Sequence, residues 1–209
     1  MKEMKVRITF VEPILGSANA DPDVHSEFIA SKAPDAPTRE QEVEALGTDE
    51  VERKETTVFP RDKETGKPII WAYQIRGFFK HACGMCKLID DCKASAKIKA
   101  HKKYIDGLVY IYDGKHEFSN KESKKILINT EEEITSCQRP LRASTAQGDR
   151  VALANSESIS DKSTAEFTVR VLKDDLIDAV KEWLDYGVYN GLGQWRNSGK
   201  GSFTWEEIK

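Results

Sequence analysis

An α+β fold is predicted by three features of the 209-residue sequence: apolar–polar alternation near both ends, helical periodicity in two separate segments, and turn signals between them. Val6, Ile8 and Phe10 fall on one side of a strand over residues 5–11, with Lys5, Arg7 and Thr9 on the other. Pro13 and Gly16 end it. Residues 16–47 then make a long polar excursion containing Pro22, Pro34 and Pro37. Within it, Thr38 is placed to cap a short helix over 39–46, with Gln41 completing a capping box. Residues 51–59 read as extended, 61–67 as a polar turn and 68–71 as a short entry to the interior.

A helix follows, because Ile75, Phe78, Phe79 and Ala82 repeat at helical spacing, and Gly77 among them suggests a close backbone contact. The apolar run 108–112 ends at the Asp113-Gly114 turn signal, and 126–128 forms a further short strand. Residues 137–155 have no clear periodicity. In contrast, 164–172 sets Ala165, Phe167, Val169 and Val171 against Thr164, Glu166, Thr168 and Arg170, the pattern of a half-buried strand. Residues 174–186 form an amphipathic helix on Leu176, Ile177, Val180, Trp183 and Leu184, with Gly187 where a C-cap belongs. A last strand, 202–208, faces Phe203 and Trp205 one way. This order predicts a ferredoxin-like sheet with helices on one face. The length suits a single domain over 1–209 carrying an insertion at 16–60, with a second possible insertion at 81–103.

Composition narrows the function classes. Hydrophobic residues are 39% and charged residues 32%, and no apolar run is long enough to span a bilayer. Residues 1–17 carry Glu3 and Glu12 and alternate instead of forming an apolar block, so a secretion signal is not expected and a cytoplasmic protein without a membrane partner is. The formal charge of -3 excludes a global basic field, so any nucleic-acid surface must be local. Charge is segregated: residues 35–55 are acid-rich, whereas Lys93, Lys97, Lys99, Lys102 and Lys103 cluster with His101 and no acid.

The densest functional signal is residues 191–203, where Gly191, Gly193, Gly199 and Gly201 accompany Arg196, Lys200, Trp195 and Phe203. Glycines let the backbone approach a ligand, exposed amides cradle anions, and aromatic faces stack bases. No Lys-Ser or Lys-Thr follows the last glycine, and the spacing is not that of a dinucleotide loop, so nucleotide hydrolysis is not expected. The plainer alternative is a long hairpin joining two strands, with Trp195 covering a core edge.

Three segments in this order resemble the RAMP superfamily of CRISPR-associated RNA-binding proteins, in particular its crRNA-binding backbone subunits. Lys67-Pro-Ile-Ile-Trp-Ala-Tyr-Gln-Ile-Arg-Gly-Phe-Phe-Lys80 is similar to the family's short strand leading into a helix, with Gln74-Ile75-Arg76-Gly77 at the turn that meets the RNA backbone. Gln138-Arg-Pro-Leu-Arg-Ala-Ser-Thr-Ala-Gln-Gly-Asp-Arg150 is similar to its Arg-containing segment before a strand, and 191–201 to its C-terminal glycine-rich loop. The segments span about half the chain. The resemblance implies a modified ferredoxin-like, RRM-like domain, with the first insertion set as a finger or thumb, and assembly of copies along a strand. An acidic chain and a loose match over 138–150 fit a diverged relative, of the kind a virus or phage carries, for which single-stranded DNA is an alternative to RNA. The implied nucleic-acid contacts are Gln74, Arg76, Lys80, Arg139, Arg142, Arg150, Gly193, Trp195, Arg196 and Lys200. On physical grounds, Arg76 and Lys80 share a helix face near its N-terminus, where free amides favour phosphate. Arg139, Arg142 and Arg150 offer bidentate donors. For any one of these arginines a surface ion pair is the plainer reading, and it is the set together that points to binding.

Cys83-Gly-Met-Cys86 and Cys92 have spacing that suits a structural zinc site, completed by His81, His101 or Cys137. The alternative is that Cys83 and Cys86 are small buried hydrophobes on the helix. Asp21, Asp23 and His25 lie where some RAMP backbone subunits carry a catalytic Asp, and two carboxylates there suit a divalent metal, although Asp-Pro-Asp is also an ordinary turn. The leading expectation is therefore a non-enzymatic RNA- or single-stranded-DNA-binding protein that multimerises along its ligand, alone or with other effector subunits. A metal-dependent endoribonuclease of the same fold, and a protein-interaction module that mimics a CRISPR subunit, are the alternatives.

Overall fold

The computed structural model describes residues 1–19, 56–145 and 148–209, and the side chains of all of these except 19, 141–145 and 148–153. The expected helix at 39–46, the acid-rich 35–55 stretch and Asp21, Asp23 and His25 lie outside the described residues.

Among the described residues, two sheets and two principal helices make a mixed α+β architecture. In the first sheet, β1 (Lys2–Phe10) is flanked by β10 (Thr164–Val171) and β11 (Phe203–Ile208), both antiparallel to it. On its other edge, β10 pairs with both β6 (Val109–Tyr112) and β7 (Lys125–Asn129), and β7 continues to β5 (Ile69–Trp71), all antiparallel. The alternation read from sequence sets the faces here: Met4, Val6, Ile8 and Phe10 of β1 and Ala165, Phe167, Val169 and Val171 of β10 are all buried.

The buried face is covered by α1 (Ala72–Cys86) and α4 (Leu176–Asp185), whose apolar stripes meet at Phe79 and Trp183, ring centroids 5.4 Å apart. Phe78 reaches Phe203 of β11 at 5.3 Å, locking helix to sheet. Each such fully buried aromatic contributes about 2–3 kcal/mol of burial free energy. Between α1 and β6 the chain makes two shorter helices, α2 (Lys93–Ala96) and α3 (His101–Leu108). They are fastened to α4 by side chains. The Glu182 carboxylate accepts from the Ala94 and Ser95 amides at 2.8 Å each, satisfying the open N-terminus of α2, and Trp183 Nε1 donates to Ser95 Oγ at 2.9 Å.

The second sheet departs from expectation. Residues 137–155, without periodicity in sequence, lie in a long antiparallel hairpin of β8 (Thr135–Thr145) and β9 (Gly148–Ile159), in register from Thr135↔Ser158 to Thr145↔Gly148. Short strands β2 (Ile14–Leu15) and β4 (Thr56–Val58) pair with β9, antiparallel and parallel respectively, and β3 (Ala18–Asn19) pairs with β4. Gly187 is also not the helix cap expected. The chain continues in a 3₁₀ turn, Tyr186–Val188, and the glycine is needed because a Cβ there would sit 2.4 Å from the Phe203 ring.

Candidate nucleic-acid interface

The glycine-rich loop leads from the 3₁₀ turn after α4 into β11, so it is a helix-to-strand connection and not a hairpin between strands. Its backbone is held in an unusual state. Gly193, Trp195, Gly199 and Gly201 all have φ between 57° and 82°, the left-handed region that disfavours side chains. For Trp195 this costs about 1–2 kcal/mol, a strain of the kind that gathers at functional sites. The loop closes on itself through Leu192 N to Gly201 O, 3.0 Å, and docks on the segment after β1 through Gly201 N to Pro13 O, 3.0 Å.

Arg139, on β8, is the fastening that holds the strained tryptophan. It is 6% exposed, donates to Ser156 Oγ at 3.2 Å and to Gln194 Oε1 at 2.6 Å, and lies 5.4 Å from the Trp195 ring centroid. Charge-assisted bonds of this type contribute about 1.5–3 kcal/mol each when buried. Two of the three sequence segments are thereby joined: Arg139 sits beneath the loop as its support.

The third segment faces the same place. Gln74, Gly77, Phe78 and His81, at successive turns of α1, form one wall of a cleft of about 540 Å³ whose opposite wall is Leu192, Gly193 and Arg196. Ile14, Ile69, Ile70, Phe59 and Pro60 supply an apolar floor, and Ser17 part of the rim. Both ends of the 16–60 excursion therefore border the cleft. Gln74 is fixed twice, accepting from Trp71 N at 2.9 Å and donating to Ser17 Oγ at 2.8 Å. Among the described residues Gly77 has no close contact from another element, contrary to expectation. It is exposed, and a Cβ built there meets nothing within 4 Å among the described residues.

The electrostatics are simple. Among the described residues, no carboxylate pairs with Arg196. Burial, and then the Arg196 charge, push the His81 imidazole below its ordinary range, and its Nε2 is buried without a hydrogen-bond partner among the described residues. His81 is thus a neutral ring beside a cation. Lys200 is taken by Glu12 at 3.1 Å.

Arg76 and Lys80 do share a helix face, but that face turns to Asp106 of α3, which receives Lys80 Nζ at 2.5 Å and lies 3.7 Å from Arg76 Nε. Arg76 is 2% exposed. The side chains of Arg142 and Arg150 lie outside the described residues. Sequence reasoning missed His81, Ser17 and Phe59 as cleft residues. For His81 a signal existed, since it stands seven residues after Gln74 and three and four after Phe78 and Gly77, on one helical stripe.

Cys83 and Cys86 are in the core. Burial raises the Cys83 thiol to about 11 and the Cys86 thiol to about 12, and Cys86 Sγ donates to Glu182 O at 3.6 Å. Among the described residues no group of three or more His, Cys, Asp or Glu is placed to hold a metal ion.

No family model and no curated protein matches the sequence. The fold does have solved counterparts. The chain superposes over its full length on a chain in the cryo-EM structure of type III-B Cmr-beta bound to cognate target RNA, with a TM-score of 0.50 and 12% identity, spanning 60% of that chain. It matches a chain of the type IV-B CRISPR complex over 99% of its own length and 90% of the other, with a TM-score of 0.48 and 10% identity. At 12% identity the likeness to the Cmr-beta chain is one of fold alone. Among the described residues, no helix is long and apolar enough to cross a membrane.

Proposed function

We propose that this chain binds single-stranded nucleic acid, RNA or DNA, through the cleft between α1 and the glycine-rich loop, and that copies assemble along the strand as backbone subunits of the RAMP type do. The observation that carries the proposal is Gly77. Glycine inside a helix costs about 1 kcal/mol relative to alanine, and among the described residues no atom occupies the space a methyl group would take. Its bare backbone lines the same cleft as the glycine-rich loop and Arg196, which has no carboxylate partner among the described residues. An apolar floor with a few fixed polar groups and one cation suits a base and its phosphate.

Supporting the ferredoxin-like reading is the order β11-β1-β10-β6 of the antiparallel sheet, with α1 after β1 and α4 after β10. The bordering positions of Ser17, Phe59 and Pro60 support residues 16–60 as a finger that reaches over the ligand or a neighbouring copy. The exposed lysines of α2 and α3 are available to a passing backbone or to another effector subunit. Gel-shift titration of labelled single-stranded RNA and DNA of increasing length tests this reading. Shifts that step with length and weaken with salt are expected; absence of any shift at low salt, where phosphate contacts are strongest, refutes it.

A further inference from the structure

Beyond the cleft, an aromatic series leads from its wall to the surface. His81 lines the cleft; the Tyr186 ring lies 6.1 Å from it, and the Tyr189 ring lies 6.2 Å from Tyr186. Tyr189 is 77% exposed, among the most exposed large side chains described. Its backbone is held in a turn, because Tyr189 N and Asn190 N both donate to Tyr186 O, at 3.0 and 3.2 Å. A tyrosine turned to solvent contributes little to folding, and with only two side-chain torsions it offers a flat face at low entropic cost to whatever binds.

We propose that Tyr189 is a second base-stacking position, so that a bound strand places one base in the cleft and its neighbour on the Tyr189 ring. The inference rests on the nucleic-acid reading of the cleft. Continuity decides the ligand class: the rings form one series with His81, and His81 adjoins Arg196, so a base on Tyr189 and a phosphate near Arg196 belong to the same strand. Neither tyrosine belongs to the segments through which the chain resembles its relatives. Stacking is tolerant of base identity, so this position adds affinity without sequence preference.

The test is fluorescence anisotropy with a labelled single-stranded RNA and the same RNA carrying one abasic site, using wild type, Tyr189→Ala and Tyr189→Phe. Tyr189→Ala is expected to weaken binding about tenfold, the loss of one stacked base, and Tyr189→Phe to retain it. The abasic RNA should lose a similar factor with wild type and little further with Tyr189→Ala. Unchanged thermal melting of both variants separates this loss from misfolding. Equal affinity of Tyr189→Ala and wild type overturns the inference while leaving the cleft reading intact. Loss in Tyr189→Phe equal to that in Tyr189→Ala also overturns it, because stacking does not need the hydroxyl. If wild type binds neither RNA nor DNA at low salt, the cleft reading itself fails.

Discussion

Replacing Gly77 by alanine separates what α1 needs for folding from what the cleft needs for binding. Gly77 lies well inside a 15-residue helix, and the added methyl group meets no heavy atom within 4 Å among the described residues. The propensity difference therefore acts unopposed, and Gly77→Ala should stabilise the protein by about 0.5–1 kcal/mol. For a domain of this size that is a rise in Tm of about 2–4 °C per kcal/mol. The same methyl group projects into the cleft and holds a ligand backbone away from the helix. A loss of about 1.4 kcal/mol, or tenfold in Kd, is the expected scale for one such contact. Urea denaturation and anisotropy titration of the same preparation read both effects. A destabilised variant would show that something packs on this face. A stabilised variant with unaltered affinity would show that the ligand does not approach here.

Other expectations follow from the loop and the buried groups. Gly201→Ala should cost about 3 kcal/mol or more, because its Cβ would fall 1.8 Å from Leu192 O at a φ of +71° and break the Leu192–Gly201 hydrogen bond, whereas Gly199→Ala, at φ +82° with open space, should cost only about 1 kcal/mol; denaturant midpoints compare them. Arg139→Ala should destabilise by about 2–3 kcal/mol and free Trp195, seen as a red-shifted, more quenchable indole emission. In native protein at pH 8, an aromatic disulfide reagent should modify Cys92 and Cys137 well before Cys83 and Cys86, whose buried thiols react only on unfolding. Lys124 is lowered to about 8, first by burial and then by the nearby Arg76 and Arg170 charges. The unfolded chain therefore binds more protons than the native one between about pH 8 and the ordinary lysine value, so stability should rise with pH across that window, and the rise should vanish in Lys124→Met.

Legibility in the sequence followed the reach of the forces involved. β1, β10 and α4 were readable because each buries one face, and period 2 or 3.6 then marks the chain directly. The β8–β9 hairpin was not, since strands containing Pro140, Ala143, Ala152 and Ala154 carry little alternation and are specified by pairing with each other. The site was legible in its parts: Gln74, Gly193 and Arg196 were named, and the cleft brings them together. Arg76 and Lys80 are placed on another face, against Asp106. That Arg76 and Lys80 share a face followed from spacing, but that Asp106 waits on that face depends on how α3 returns against α1. Gly77 stood out in sequence for a contact inside the protein, and only the packing reveals that no described residue fills the space beside it.

The salt dependence of binding, measured for wild type and Arg196→Ala on one single-stranded RNA, tests the central claim most directly. Binding is predicted to weaken linearly in log Kd against log salt, and Arg196→Ala to reduce the slope by about 0.7, the contribution of one phosphate contact on a single strand. Binding that persists with the same slope and affinity after Arg196→Ala would place the ligand elsewhere on the molecule and contradict the account.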